Sequence, residues 1–204
     1  GKVNQDYLTE LRGVATQFDI PLVFDEVVTG FRVAYGGVQK LTGITPDLTC
    51  LGKIIGGGLP CGAIVGKREL IDLGCSTNDP FRDYEERTFL GGTMSGNYLT
   101  CSTGSAVLKH LRDNPKLYTE LDAKTQWLAT EVRKLAEKHG VQMKVKAIHS
   151  MFSILFTHKD TDYFRQAMQG ANFKATLALA YWMRTHGVYM PELHGYMLST
   201  AHTQ

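Results

Sequence analysis

Several classes of protein are excluded by what this sequence lacks. No apolar run approaches the roughly 20 residues that a membrane-spanning helix needs, and no basic segment followed by an apolar one forms a leader. Neither sign of charge dominates, since 22 Lys and Arg face 20 Asp and Glu, for a net charge of +2. Such a balance gives no electrostatic reason for a nucleic-acid or membrane-surface partner. We therefore expect a cytoplasmic protein that binds neither nucleic acid nor membrane.

Cysteine is scarce, and its spacing fits no metal site. The 4 cysteines form no Cys-x-x-Cys pair, and none has a histidine at the spacing of a zinc ligand. We expect small buried thiols in a reducing compartment and no structural metal. The thiols belong to Cys50, Cys61, Cys75 and Cys101.

Apolar and aromatic residues, in contrast, are plentiful enough to form a core. The 204 residues are 43% hydrophobic and include 9 Phe, 9 Tyr and 2 Trp, too many aromatic side chains for a disordered polymer. This length suffices for one medium domain, or for one domain and part of another. Because the chain begins with Gly-Lys in place of Met and ends without a closing signal, we expect a piece of a longer protein.

Helical and extended patterns alternate in the first part of the chain. Apolar residues recur at helical spacing over residues 5–18. A buried strand is predicted over residues 21–28, a short extended run over 48–51 and an apolar strand over 61–66. This alternation favours an α/β layer architecture. Residues 79–87 are charged and are predicted to form an exposed loop.

The later part of the chain has a different pattern. Its apolar spacing predicts helices from residues 98 and 115 and over 173–184, and strands over 141–146, 151–157 and 188–190. We place a boundary near residue 112. Residues 1–112 are then part of an α/β domain, and residues 113–204 form a smaller α+β domain.

Two glycine-rich segments do not match nucleotide-binding motifs. Residues 62–68 have three residues between their glycines where a P-loop needs four, and Arg68 stands where a serine or threonine would bind magnesium. In residues 56–61, Cys61 occupies the third glycine position of the dinucleotide fingerprint. Nucleotide binding by either segment is therefore not expected.

Asp25 lies at the end of a predicted apolar strand, where α/β sheets place their ligand crevices. A carboxylate there is partly desolvated and needs a cationic or hydrogen-bonding partner. Val27 follows two residues later, on the same face, and can pack against whatever Asp25 contacts. Local pattern supports equally a structural alternative, in which Asp25 caps a loop or pairs with Arg32.

Lys53 also follows a strand end, and Ile54, Ile55 and three glycines come directly after it. Apolar surroundings disfavour an ammonium ion, which suits an amine nucleophile that forms an imine. The alternative is an ordinary surface lysine. The glycine run favours a functional role, because glycine lets the backbone approach another group closely.

Thr93 lies within residues 91–97, just before a predicted helix. Backbone N–H groups and a hydroxyl at that point can bind an anion. The alternative is an ordinary helix cap made by Ser95 or Asn97. Together, an acid, an amine and an anion site are what pyridoxal 5'-phosphate requires of a protein.

Two segments resemble the core of the class III, fold-type I aminotransferases. They are Val-Phe-Asp-Glu-Val-Val-Thr-Gly-Phe-Arg at residues 23–32 and Leu-Gly-Lys-Ile-Ile-Gly-Gly-Gly-Leu-Pro-Cys-Gly-Ala at residues 51–63. Within that family the chain is most similar to the glutamate-1-semialdehyde 2,1-aminomutases, over residues 30–39, 45–49, 150–152 and 198–203. The resemblance covers nearly the whole chain and corresponds to the later half of the enzyme.

The resemblance implies a fold and a set of site residues. The fold is the C-terminal half of a fold-type I PLP-dependent transferase large domain, followed by a smaller α+β domain. By this resemblance Asp25 pairs with the pyridine nitrogen of pyridoxal 5'-phosphate, Val27 packs on its ring, and Lys53 is the Schiff-base lysine. Thr93 contacts the phosphate across the interface of a homodimer with a shared active site. The substrates are small amino and keto compounds.

Departures from the family pattern leave the reaction open. The glycine/serine-rich phosphate loop and the stacking aromatic that precede these segments in the family are not in this chain. The aminomutases have a Ser-Gln-Phe-Glu-like stretch where this chain places His194. An intermolecular aminotransferase that acts on an omega- or beta-amino substrate, or a catalytically incomplete fragment, is the alternative. Arg32 is a candidate for the substrate carboxylate, or for an ion pair with Asp25 or Glu26.

Overall fold

A computed structural model describes residues 3–159, 163–192 and 194–203. The chain divides into two compact units, one of Val3–Pro115 and one that begins at Lys116. Helices and strands alternate as the sequence predicts, and the fold is mixed α/β. Each unit is described by itself below.

The first unit is built on a three-stranded sheet. Strand β1 is parallel to β2, and β3 is antiparallel to β2, in the order β1-β2-β3. The register places Asp25 beside Cys50, and Gly52 beside Gly62. The elements are α1 (Gln5–Gln17), β1 (Val23–Glu26), α2 (Gly37–Thr42), β2 (Leu48–Gly52), β3 (Gly62–Gly66), α3 (Arg68–Ile71), α4 (Pro80–Glu86) and α5 (Tyr98–Asp113).

The two faces of this sheet differ in their exposure. Along β1, Phe24 and Glu26 are buried while Val23 and Asp25 are exposed, because successive side chains of a strand point to opposite faces. Thr49 of β2 is also buried and lies beside Phe24 in the register. Asp25 therefore projects from the open face of the sheet, where it is accessible.

A buried carboxylate connects several elements at the amino end of β2. Asp47 precedes β2 and is only 5% exposed. Its carboxylate accepts hydrogen bonds from Lys67 Nζ at 2.7 Å, from the Leu22 N–H at 2.7 Å and from Arg12 Nη1 at 2.6 Å. The Lys67 ammonium, the Leu22 N–H and the Arg12 guanidinium together hold the pKa of this carboxyl far below its ordinary value. One side chain thus joins α1, the segment before β1 and the end of β3.

We expect Asp47 to contribute stability that depends on pH. Because its pKa is lower in the folded state, the contribution is present above the ordinary pKa of 3.8 and is lost as the pH falls below it. Replacing Asp47 by Asn is expected to lower the free energy of unfolding at pH 7 by about 2 kcal/mol. Urea unfolding of both forms between pH 7 and pH 3 measures this. An unchanged difference between wild type and D47N at every pH would contradict the assignment.

The second unit pairs a long helix with an antiparallel sheet. The strand order is β4-β5-β6, and Phe152 of β5 lies beside Tyr196 of β6. Ala180, Met190 and Tyr196 form the buried centre. The elements are α6 (Lys116–Lys138), β4 (Lys144–Ile148), β5 (Met151–Leu155), α7 (Phe164–Gln169), α8 (Phe173–Thr185) and β6 (Tyr196–Met197).

Two local predictions were wrong. Residues 79–87 are mostly helical, because the Asp79 side chain accepts from the N–H groups of Phe81 and Arg82 and so starts α4. Residues 188–190 form no strand, and β6 is the third strand of the second sheet. The Met190 carbonyl accepts from Arg184 Nη2 at 3.3 Å and not from a neighbouring strand.

The cysteines are less buried than expected. All four are free thiols; Cys50 and Cys61 are half-buried, and Cys75 and Cys101 are exposed. Within the described ranges, no helix has the length and apolar character needed to cross a bilayer. The same residues contain no group of three or more histidine, cysteine or carboxylate side chains arranged to hold a metal ion.

Candidate active site

Asp25 and Lys53 lie at the same edge of the first sheet. Asp25 is near the carboxyl end of β1, and Lys53 follows directly after β2, its parallel neighbour. The carboxyl ends of neighbouring parallel strands are where α/β sheets form ligand crevices. Both side chains are exposed, so an acid and an amine are presented together at this edge.

Val27 connects these two positions. It belongs to the turn after β1, and its N–H donates to Asp25 Oδ1 at 3.1 Å. Its side chain lies over Gly52, because a Cβ placed on that glycine would be 3.1 Å from Val27 Cγ1. Gly52 directly precedes Lys53. The structure therefore brings Asp25, Val27 and Lys53 together.

Lys53 has a strained backbone. Its φ is +50°, in the left-handed region that residues other than glycine seldom adopt. Such a conformation costs roughly 1–3 kcal/mol and persists only where the surroundings enforce it. Lys53 is also the first residue of a short 3₁₀ turn, Lys53–Gly56. Strain at an exposed lysine at a sheet edge is typical of a functional position.

Helix α5 enforces this turn by close backbone contact. Thr103 Oγ1 donates to the Gly56 carbonyl at 3.0 Å. A Cβ on Gly104 would lie 2.1 Å from the Ile55 carbonyl oxygen, and one on Gly57 would lie 2.5 Å from the Thr103 carbonyl oxygen. Only glycine permits this approach. The turn that carries Lys53 is thus fixed against α5.

Thr93 lies in the loop before α5. It is exposed, and residues 93–96 form a turn. The Asn97 side chain caps α5 by accepting from the Thr100 N–H at 3.1 Å, so the capping role falls to Asn97. A cavity of about 460 Å³ separates this loop from residues 60–62 and is lined by Ser95 and Gly96, among others, but not by Thr93. Gly62 pairs with Gly52, the residue before Lys53. The loop therefore lies near the end of β2 that Lys53 follows.

Comparisons with known proteins identify the family of the chain. The family model described as Aminotransferase class-III matches residues 2–202. This chain belongs to the class-III aminotransferase family. The family resemblance inferred from residues 23–32 and 51–63 is confirmed.

Individual relatives indicate how much of an enzyme this aminotransferase chain represents. A glutamate-1-semialdehyde 2,1-aminomutase of Fusobacterium nucleatum is 36% identical over 205 residues, which cover 100% of this chain and 45% of the relative. An omega-transaminase structure from Sphaerobacter thermophilus is 30% identical with a TM-score of 0.83, covering 98% of this chain and 44% of that one. The FumI protein of Sphingopyxis sp. MTA144, in a form that holds PLP, is 26% identical with a TM-score of 0.78, covering 100% and 44%. The chain thus spans about 45% of the length of the curated relative it matches.

Two structural features near the candidate site of this class-III aminotransferase chain could not be assigned from its sequence. Glu26 is a nearly fully buried carboxylate between Asp25 and Val27, and a charged residue inside an apolar strand was the available signal. Gly104 had no local signal, because its role depends on a contact with Ile55 that is remote in sequence.

Arg32 is half-buried, and its N–H donates to the Thr29 carbonyl at 3.0 Å.

We expect the substitution of Gly104 by Ala to disturb the Lys53 turn. The added methyl group meets the Ile55 carbonyl oxygen, so either α5 or the turn must move, at a cost of about 3 kcal/mol. Chemical denaturation measures the loss of stability. Gly13→Ala is the matched control, since nothing lies within 4 Å of a Cβ on that helical glycine and a gain of about 0.5–1 kcal/mol is expected. Equal stability of the G104A variant and wild type would contradict the close approach.

Proposed function

We propose that this chain is the lysine-bearing part of a pyridoxal 5'-phosphate enzyme that transfers an amino group. One observation carries the proposal. Asp25 and Lys53 lie at the carboxyl ends of neighbouring parallel strands, and Val27 packs over Gly52, the residue that precedes Lys53. An acid, an apolar wall and an amine at one sheet edge are the groups that this cofactor needs.

The residues present fit this cofactor. The Lys53 amine is exposed on a backbone held at φ +50°, so it projects from a fixed point. The Asp25 carboxylate is exposed beside it and is oriented by the Val27 N–H. The loop before α5 offers hydroxyl and backbone N–H groups of the kind that bind phosphate, with Thr93 as the proposed contact. Gly52 and Gly62 pair at this end of the sheet, and as glycines they place no side chain in the space beside Lys53.

Each residue then has a distinct task. Pyridoxal phosphate, when bound, supplies an electron sink next to the amino group that is transferred. Lys53 would hold the cofactor through its amine and would serve as the general base that accepts and returns a proton. The negative charge of Asp25 would favour a proton on the ring nitrogen. Val27 would form an apolar wall for the ring, and Arg32 is the proposed partner of a substrate carboxylate.

The reaction we propose is of the glutamate-1-semialdehyde 2,1-aminomutase type. Eight curated relatives with that name are 34% to 40% identical to this chain. An intermolecular amino transfer from an omega- or beta-amino donor to a keto acceptor is the second candidate, favoured by the likeness to an omega-transaminase. Assaying the full-length protein with glutamate 1-semialdehyde alone, and then with an amine donor and a keto acid, distinguishes the two reactions.

Covalent labelling tests the proposed cofactor site. Pyridoxal phosphate is added to the chain and to the full-length protein, reduced with borohydride, and located by peptide mass mapping. We expect the label on the peptide that contains Lys53, and none there in Lys53→Ala. Label scattered over surface lysines of the full-length protein would overturn the proposal. Label confined to Lys53 only in the full-length protein would identify this chain as a catalytically incomplete part.

We further propose a homodimer in which Thr93 serves the partner's cofactor. Large aromatic side chains are strongly exposed from α4 to the start of α5: Phe81 at 84%, Tyr84 at 92%, Phe89 at 82% and Tyr98 at 85%. Exposed aromatic side chains of this size favour a surface that another protein covers. Free thiols and the absence of a dominant charge support a cytoplasmic location without a nucleic-acid or membrane partner.

Replacing two of these exposed aromatic residues is expected to weaken the proposed dimer. For the double variant Phe89→Ser and Tyr98→Ser we expect a dissociation constant raised about 100-fold or more, because a few large aromatic residues commonly dominate interface energies. Sedimentation of the full-length protein over a concentration series measures it. Tyr7→Ser, which removes an aromatic that is 58% exposed on α1, is the control. A wild type that sediments as a monomer would rule out the dimer.

A further inference from the structure

Glu26 is a buried carboxylate next to the proposed cofactor acid, and none of the proposed tasks uses it. Only 2% of the residue is exposed. Its Oε2 accepts from Thr29 Oγ1 at 3.0 Å and from the Val38 N–H at 2.8 Å, and its Oε1 accepts from the Gln39 N–H at 3.3 Å. One side chain therefore joins the end of β1 to the turn that follows and to the start of α2.

Two glycines show how closely the chain packs around Glu26, one against its main-chain carbonyl and one against its carboxylate. The Gly30 N–H donates to the Glu26 carbonyl at 2.8 Å, and a Cβ on Gly30 would lie 2.7 Å from that carbonyl oxygen. A Cβ on Gly37 would lie 2.0 Å from Glu26 Oε2. Residues 27–37, which we call the Glu26-bound loop, are thus attached to Glu26 at both ends.

This loop carries two of the proposed site residues. Val27 begins it and packs over Gly52, while Arg32 lies within it. Asp25 directly precedes Glu26, and the alternation of β1 puts their side chains on opposite faces of the sheet. The Glu26 side chain thus lies on the face of the sheet opposite to Asp25.

We infer that Glu26 is a positioning residue of the proposed aminotransferase site: its buried carboxylate fixes the Glu26-bound loop and so places Val27 and Arg32 relative to Asp25. The inference rests on the proposed function. A preorganised site depends on such support, because a displacement of about 1 Å in a group that contacts the substrate can cost about 100-fold in rate.

The test replaces Glu26 by Gln in the full-length enzyme. Glutamine has the same size as glutamate, but its NH₂ group cannot accept a hydrogen bond. Because both carboxylate oxygens of Glu26 accept from N–H groups, the substitution loses at least one of these hydrogen bonds. We expect the dissociation constant for pyridoxal phosphate to rise about tenfold and kcat/KM to fall about 100-fold. The pH midpoint of the cofactor absorbance band should also shift, because a displaced loop changes the surroundings of Asp25, the proposed partner of the ring nitrogen. Gly37→Ala, which pushes on the carboxylate from the other side, is expected to act in the same direction.

Asp47→Asn is the control for lost stability. It also removes a buried carboxylate from the first unit, but at the opposite end of β2 from Lys53. We expect its cofactor affinity, absorbance midpoint and kcat/KM to stay within about twofold of wild type once folded, since groups without shared partners act independently.

The outcomes separate this inference from the proposed function. A wild-type enzyme that takes no pyridoxal phosphate at Lys53 overturns the function itself. A labelled wild type, with E26Q equal to D47N in all three measurements, overturns the role of Glu26 alone. Where E26Q does not fold, Thr29→Val removes a single hydrogen bond to Glu26 and is measured in the same way. Smaller shifts in the same direction support the inference, and wild-type values overturn it.

Discussion

Replacing Lys53 by Ala is expected to lower kcat of the full-length enzyme by about 10⁴-fold or more. Removing a general base alone costs about 10²–10⁴-fold, and the covalent route through the amine is lost as well. The fold should persist, because the Lys53 side chain is exposed and its truncation removes little packing. The left-handed backbone at this position stays strained in the variant. Steady-state kinetics and thermal unfolding, measured together, separate the loss of chemistry from a loss of structure.

Lys67→Ala is the matched control for Lys53→Ala. Lys67 also follows a strand end, that of β3, but its ammonium pairs with Asp47 at 2.7 Å. We expect K67A to lose some stability and to retain its kcat within about twofold, since it is remote from the proposed chemistry. Addition of a small primary amine should partly restore turnover to K53A and leave K67A unchanged. Undiminished turnover in K53A would remove Lys53 from the mechanism.

Much of the fold could be predicted from the sequence because its signals are local. Helical periodicity over residues 5–18 corresponds to α1 (Gln5–Gln17), and the apolar run 48–51 corresponds to β2 (Leu48–Gly52). Residues 21–28 were predicted as a longer strand than β1 (Val23–Glu26). The strand ends at Glu26 because that side chain binds the turn and the start of α2.

The proposed site was predictable only in part, for a physical reason. Asp25 and Lys53 stand at strand ends, and a strand end can be read from local pattern. Their shared edge follows from parallel pairing. The contact of Gly104 with Ile55 joins residues far apart in sequence, and no periodicity encodes it. The task of Glu26 likewise depends on N–H groups from α2, so a charged residue in an apolar strand indicates a partner without naming it.

Replacing Asp25 by Asn is expected to lower kcat of the full-length enzyme by about 10²–10³-fold with little loss of stability. A neutral amide cannot hold a proton on the ring nitrogen as a carboxylate does, so the electron sink weakens. The local structure should survive, because an asparagine oxygen can still accept the Val27 N–H that Asp25 Oδ1 accepts at 3.1 Å. Kinetics and a pH titration of cofactor absorbance measure the two consequences.

Asp19→Asn is the control for Asp25→Asn, because Asp19 is an exposed carboxylate with φ +51°, a conformation that asparagine tolerates well. We expect wild-type kinetics from D19N. In D25N the pH midpoint of the cofactor absorbance should fall, since the protonated ring loses its negative partner. A D25N enzyme with both rate and midpoint unchanged would assign Asp25 to the turn alone, where it binds the Val27 N–H. A changed midpoint with an unchanged rate would place Asp25 beside the ring but remove it from the rate-limiting proton transfer.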